Sequence, residues 1–206
     1  TCAFCKKYED WSLSKMEKIY HQKKEGALFV VCGCLTSISP GRLDEKFPGV
    51  IQIPTRSLEK LDEVVSPAVS MREIPDPNLT IFDRQKHTYD SQRMKTPAQE
   101  EYEKAKKGYK IRIDWGCLGD CSYCVTKYAE GKLSSKSKAL VMEEFRQGLS
   151  ARHRSFFITG GDAGAYGLDR EESIVSLLKD IFEIRETYTL HFQDFGIHWL
   201  CRYLDK

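Results

Sequence analysis

Between residues 108 and 206, strand-like runs alternate with amphipathic helical patterns, and this alternation restricts the second half of the chain to one class of fold. YKIRID, SFFIT and TYTLHF read as strands, with ALVMEEFRQGLSARH and EESIVSLLKDIFEIRE as the helices between them. Parallel neighbouring strands need a crossover long enough to hold a helix, so this order is the start of a parallel β/α fold. Ligands in such folds collect beyond the C-terminal ends of the strands. GCLGDCSYC, GGDAGAYGLD and QDFG follow the three strands in turn and are expected to line one face.

The first half is built differently. EDWSLSKMEKIYHQKK carries Trp11, Leu13, Met16, Ile19 and Tyr20 at helical spacing, and ALFVVCG is a short apolar run suited to a buried strand. SISPGRLDEKFPGV is rich in turn residues, IQI reads as a second strand, and TRSLEKLDEVV as a capped helix. The expected fold class is therefore α/β: a small α/β domain over 1–70, a linker over 71–107, and the first part of a parallel β/α partial barrel over 108–206. The chain opens on Thr1 and ends inside the helical pattern WLCRYLDK, so it reads as a piece of a longer protein, its first domain incomplete at the start.

Lysine plus arginine nearly balance aspartate plus glutamate, for a formal net charge of +2, so no overall field directs the chain to nucleic acid or membrane. No apolar run reaches the length of a membrane span and no signal-peptide pattern opens the chain, which reads as cytoplasmic with no membrane partner. In a reducing compartment eight cysteines point to metal rather than to disulfides. Neither H-E-x-x-H nor G-x-S-x-G occurs, so hydrolytic chemistry has no support.

Cys117, Cys121 and Cys124 stand in a C-x3-C-x2-C spacing directly after a strand. A structural zinc site wants four ligands, and a four-iron cube usually takes four thiolates, so three in one loop leave a coordination position open. The alternatives are a zinc site completed by a distant ligand such as His153, or thiols buried as small hydrophobes. GGDAGAYG lacks the Lys and Ser/Thr of a phosphate loop. Cys2 and Cys5, with Cys32 and Cys34, make a second group suited to zinc or iron–sulfur. Lys127, Lys132, Lys136 and Lys138 read as a solvated basic face, Cys201 as a core residue, and Asp114 as either a ligand contact or a strand-end cap.

The three cysteines, the aromatic Tyr123 before the last of them and the Gly160-Gly161-Asp162 turn one unit later resemble the radical S-adenosylmethionine superfamily. TC near the start, a strand ending GCL, FPGV and GCLGDCSYC narrow the resemblance to the methylthiotransferase family. GCLGDCSYCVTKYAEGKLSS with DAGAYGLD is most similar to its branch acting on threonylcarbamoyladenosine in tRNA. The resemblance implies a 4Fe-4S cluster on Cys117, Cys121 and Cys124, and S-adenosylmethionine held at Gly160, Gly161 and Asp162. It also implies an auxiliary second 4Fe-4S cluster that uses Cys2, Cys34 and a cysteine upstream of Thr1, for which Cys5 or Cys32 would have to substitute. The implied reaction is C–H methylthiolation, with an electron donor such as flavodoxin or ferredoxin and tRNA as partners. Ala129, Glu130 and Gly131 stand where the family usually shows Ala-Arg-Gly, a charge reversal unfavourable to phosphate contacts. A divergent enzyme acting on a peptide or small molecule, and a non-catalytic metal-binding module, are the alternatives.

Overall fold

The computed structural model describes residues 1, 3, 5–74, 100–101, 104–105, 107–193 and 195–205. Cys2, Asp194 of QDFG and most of the 71–107 stretch lie outside the described residues. The chain divides into two compact units, Thr1–Pro75 with Gly119–Gly131, and Asp76–Leu118 with Lys132–Lys206.

In the first unit, helix α1 (Lys6–Gln22) buries Leu13 and Met16 on one face, with Tyr20 packed beside them. Trp11 and Ile19, also expected on that stripe, are instead about 60% exposed. Leu13, Met16 and Tyr20 follow the i, i+3, i+7 spacing of a single helix face, and Trp11 and Ile19 fall off it. Strands β1 (Val30–Cys32) and β2 (Ile51–Ile53) pair in parallel, Val30 opposite Ile51. The expected turn-rich stretch between them is two helices, α2 (Leu35–Ile38) and α3 (Pro40–Lys46). Pro40 occupies the first turn of α3, where its fixed φ is already helical and no N–H is needed, so the residue that signalled a turn starts a helix. Leu35, Leu43 and Phe47 are buried in this unit's core, which offsets the entropy of ordering so short a segment. The expected capped helix is a 3-10 turn (Leu58–Lys60) running into α4 (Leu61–Val65), without a side-chain cap at Ser57. Helix α5 (Thr126–Glu130) packs against α2.

The second unit holds a parallel sheet of β3 (Tyr109–Arg112), β6 (Ser155–Thr159) and β7 (Thr189–Phe192) in the order β3-β6-β7. Its helices α6 (Lys138–Ser150) and α7 (Ile174–Phe182) supply the crossovers, so an α/β class with parallel sheets is what the chain adopts. Ser137 caps α6 by accepting from Leu140 N at 3.3 Å, and Ser173 and Ser176 form a capping box on α7. Ile111, Phe145, Phe156, Ile158, Leu177 and Ile181 are buried at 1% exposure or less and form the core, each contributing on the order of 2 kcal/mol by transfer from water. A Cβ on Gly148 would lie 2.6 Å from the Phe156 ring, so this glycine lets α6 lie close on the sheet. YKIRID is not one strand: Asp114–Trp115 separates as β4 and pairs antiparallel with β5 (Ser134–Ser135). Helix α8 (Ile197–Tyr203) buries Trp199, while Cys201, expected in the core, is exposed on the opposite side of that helix.

Candidate cofactor and metal site

Asp114, the first residue of β4, is fully buried, and its Oδ1 accepts from Gly161 N at 2.7 Å and Asp162 N at 3.0 Å. The turn after β6 is thereby bonded to the neighbouring strand. Asp114 spends its carboxylate on two successive backbone amides of the loop that follows the neighbouring strand. Burial is the main reason its carboxyl is raised to about 6, with the Gly161 and Asp162 amides and Arg112 pulling the other way. Its Oδ2 is buried and has no hydrogen-bond partner among the described residues.

Gly160 and Gly161 owe their identity to this packing. A Cβ on Gly160 would lie 2.5 Å from the Asp114 carboxylate, and one on Gly161 would strike the backbone carbonyl of Gly116. The glycines let the turn sit against its own protein frame. Gly116 itself has φ +79, and a Cβ there would strike the Lys132 carbonyl.

Asp162 is 4% exposed and its carboxylate joins three segments. Oδ1 accepts from the Trp199 indole Nε1 at 2.7 Å; Oδ2 accepts from Leu118 N at 3.3 Å and from the Cys117 thiol at 3.6 Å. The start of the cysteine loop and the glycine–acid turn, read from separate motifs, are thus in contact within this unit. Trp199 was not foreseen as part of the site. It lies 37 residues from Asp162, and Gly164 makes room for its ring, since a Cβ there would overlap the indole.

Around this centre the backbone is held by further carboxylates. Ser135 N donates to Asp169 Oδ2 at 2.9 Å, Ser135 Oγ accepts from Gly167 N at 2.9 Å, and Lys138 N donates to Glu172 Oε2 at 3.1 Å. Tyr166 is buried, and burial with the adjacent Glu172 carboxylate drives its phenol well above the usual range. Two of the lysines expected on a solvated face are ion-paired here: Lys136, its side chain 7% exposed, with Glu144 at 2.7 Å, and Lys138 with Asp180 at 2.8 Å.

The division of the chain falls inside the cysteine loop, with Cys117 in the second unit and Cys121 and Cys124 in the first. Cys121 is exposed and Cys124 half-buried, with Cys124 N donating to Cys121 O at 3.0 Å. Lys127, one turn on, pairs with Asp120 and lies over the Tyr128 ring. Cys5 precedes α1 and is exposed; Cys32 is half-buried in β1, where desolvation raises its thiol. Cys34 stands at the N-terminus of α2, and its N donates to Thr1 O at 3.1 Å. Cys2, paired with Cys34 in the sequence expectation, lies outside the described residues. Glu130 ends α5, and its carbonyl accepts from Arg56 Nη1 at 2.9 Å.

No disulfide links the described cysteines, so these positions remain thiols, soft donors that suit iron–sulfur or zinc and not magnesium or calcium. Among the described residues no three His, Cys, Asp or Glu side chains are gathered to hold a metal ion. No described helix is long and apolar enough to cross a membrane.

No family model matches the chain. It is 28% identical over 185 residues to a probable threonylcarbamoyladenosine tRNA methylthiotransferase of Archaeoglobus fulgidus, covering 89% of this chain and 41% of that protein. It is 25% identical over 205 residues to the ribosomal protein uS12 methylthiotransferase RimO of Protochlamydia amoebophila, covering 92% of this chain and 38% of that one. A shorter stretch of 74 residues is 39% identical to the threonylcarbamoyladenosine tRNA methylthiotransferase of Drosophila melanogaster, covering 36% of this chain and 13% of that protein. The chain spans about two fifths of the length of the first two relatives.

Proposed function

We propose that this chain, similar over about nine tenths of its length to methylthiotransferases, is the cluster- and cofactor-binding region of a radical S-adenosylmethionine methylthiotransferase. Cys117, Cys121 and Cys124 are its ligands for a 4Fe-4S cluster, and Gly160, Gly161 and Asp162 its S-adenosylmethionine turn. Bound together, cluster and cofactor supply hydrogen-atom abstraction from an unreactive carbon. The observation that carries the reading is the Asp162 carboxylate, which accepts from the Cys117 thiol and Leu118 N while standing in the glycine–acid turn. Two motifs that the resemblance assigns to one site are joined by one side chain.

The residues of the turn and its surroundings divide the work. Asp162 sets where the cysteine loop begins, Trp199 shields that carboxylate from water, and the packed glycines keep the turn close against its frame. On this reading residues 1–70 are the small α/β domain and 108–206 the β/α region, of which Gly119–Gly131 belongs to the first compact unit. Cys34, with Cys2 and one further thiol, holds the auxiliary 4Fe-4S cluster. A flavodoxin- or ferredoxin-like protein delivers the electron in the cytoplasm. The substrate that the relatives' names favour is an adenosine derivative in tRNA.

A second reading, a divergent enzyme acting on a peptide or small molecule, is favoured by charge. Lys127, Lys136 and Lys138 are each neutralised by a carboxylate, and Glu130 stands where an arginine is expected. Paired lysines have little left to offer a phosphate backbone. Metal analysis after anaerobic reconstitution with iron and sulfide tests the common core of both readings. About four irons and four sulfides lost together from a Cys117/Cys121/Cys124→Ala variant is the expected result. Zinc with no labile sulfide would leave a structural metal module instead. Tight binding of unmodified tRNA at physiological salt separates the two substrates, since the second reading expects none.

A further inference from the structure

Asp114 is not among the residues assigned to the cofactor, yet it holds all three of them in place. One of its oxygens accepts from two successive amides, Gly161 N and Asp162 N, which fixes the plane of both peptide groups at once. Gly160 is confined by the same carboxylate, because any Cβ there would overlap it. With the backbone so held, the Asp162 side chain points to Trp199, Leu118 and Cys117. Asp114 also stands three residues before Cys117, so one strand end carries both the clamp of the turn and the first cysteine.

The arrangement is a poor one for stability alone. The side chain is 0% exposed, and Oδ2 is buried without a hydrogen-bond partner among the described residues, a costly state for a carboxylate. The ionisable groups facing it are Asp162 and Arg112, of which the first repels its charge and the second attracts it. A group that costs folding energy and fixes the backbone of a binding turn is what a preorganised site requires.

We infer that Asp114 is a positioning residue for S-adenosylmethionine: its carboxylate clamps the Gly160-Gly161-Asp162 turn in the shape that receives the cofactor. This rests on the reading of that turn as the cofactor's seat. Asparagine keeps an oxygen able to accept from both amides; alanine keeps none.

The test is calorimetric titration of S-adenosylmethionine, without reductant, into the reconstituted full chain and its Asp114→Asn and Asp114→Ala variants. Amide hydrogen exchange at Gly161 and Asp162 is followed in the same samples. Asp114→Asn should bind within about threefold of the unaltered chain, and Asp114→Ala at least about tenfold more weakly. Exchange at Gly161 and Asp162 should accelerate in the alanine variant alone, while the core amides of Ile111 and Ile158 keep their protection. If Asp114→Ala does not fold, Asp114→Ser, whose hydroxyl is too short to reach both amides, takes its place with the same expectation. An alanine or serine variant that binds like the unaltered chain overturns the inference and leaves the cofactor reading intact. An unaltered chain that binds no S-adenosylmethionine overturns the reading and the inference with it.

Discussion

The glycine–acid turn of the second unit and the exposed cysteines of the first are prepared by folding to very different degrees. Asp162 is 4% exposed, and each of its oxygens accepts a hydrogen bond; Gly160 and Gly161 are pressed against Asp114 and Gly116. Cys121, by contrast, is exposed, and its neighbour Tyr123 is 86% exposed. The contrast has a physical cause. A seat for an organic cofactor can be built from packing and hydrogen bonds before the ligand arrives. Thiolate ligands cannot be held together in advance without charge repulsion, and metal-ion binding itself provides the energy that assembles them.

The contrast is tested first where the packing is densest. Phe145→Ala removes a fully buried ring from the core under the turn and should cost the second unit about 3–5 kcal/mol in urea unfolding. A smaller loss would mean that the frame supporting the turn is loosely packed. Asp114 gives the next largest effect, and it depends on pH. Its carboxyl rises from the ordinary 3.8 to about 6 on folding, so the folded state holds the proton more tightly. Stability from this group is full below pH 4 and is lost as pH rises through 6. Asp114→Asn, which never charges, should therefore be more stable than the unaltered chain at pH 8 by up to about 3 kcal/mol, with no advantage at pH 4. An equal difference at both pH values would contradict the burial of that charge.

Gly161→Ala puts a methyl group against the Gly116 backbone and should cost about 1–3 kcal/mol, seen as a lower urea midpoint. The smallest effect sharpens the comparison most. Cys121→Ser should change the stability of the metal-free chain by no more than about 0.5 kcal/mol, because the side chain is exposed. The same variant should nevertheless lose the iron. A large loss of metal-free stability would show that the cysteine loop is packed by the protein after all.

Legibility followed how locally each feature is encoded. The strands at Tyr109–Arg112, Ser155–Thr159 and Thr189–Phe192 were visible because apolar and aromatic runs need no distant context to read as buried strands. The helices at Leu35–Ile38 and Pro40–Lys46 were hidden by Ser, Pro and Gly, whose meaning depends on whether they fall in a helix's first turn or between elements. The Asp114–Trp115 and Ser134–Ser135 pair has no periodicity to detect at two residues each. Cysteine spacing and the glycine–acid turn were legible as motifs. The bonds that join them were not, since Asp114 to Gly161 and Trp199 to Asp162 span 47 and 37 residues. Nothing local to Trp199 distinguishes an indole that donates to a buried carboxylate from one that merely fills a core.

The most direct test of the account is the low-temperature EPR spectrum of the reduced, reconstituted chain, recorded with and without S-adenosylmethionine. If the three-cysteine loop and the turn form one site, a cluster signal that shifts when the cofactor is added is present, and that cofactor-sensitive signal is absent from the Cys117/Cys121/Cys124→Ala variant. A cluster signal that ignores the cofactor, or none at all with zinc bound, would contradict it.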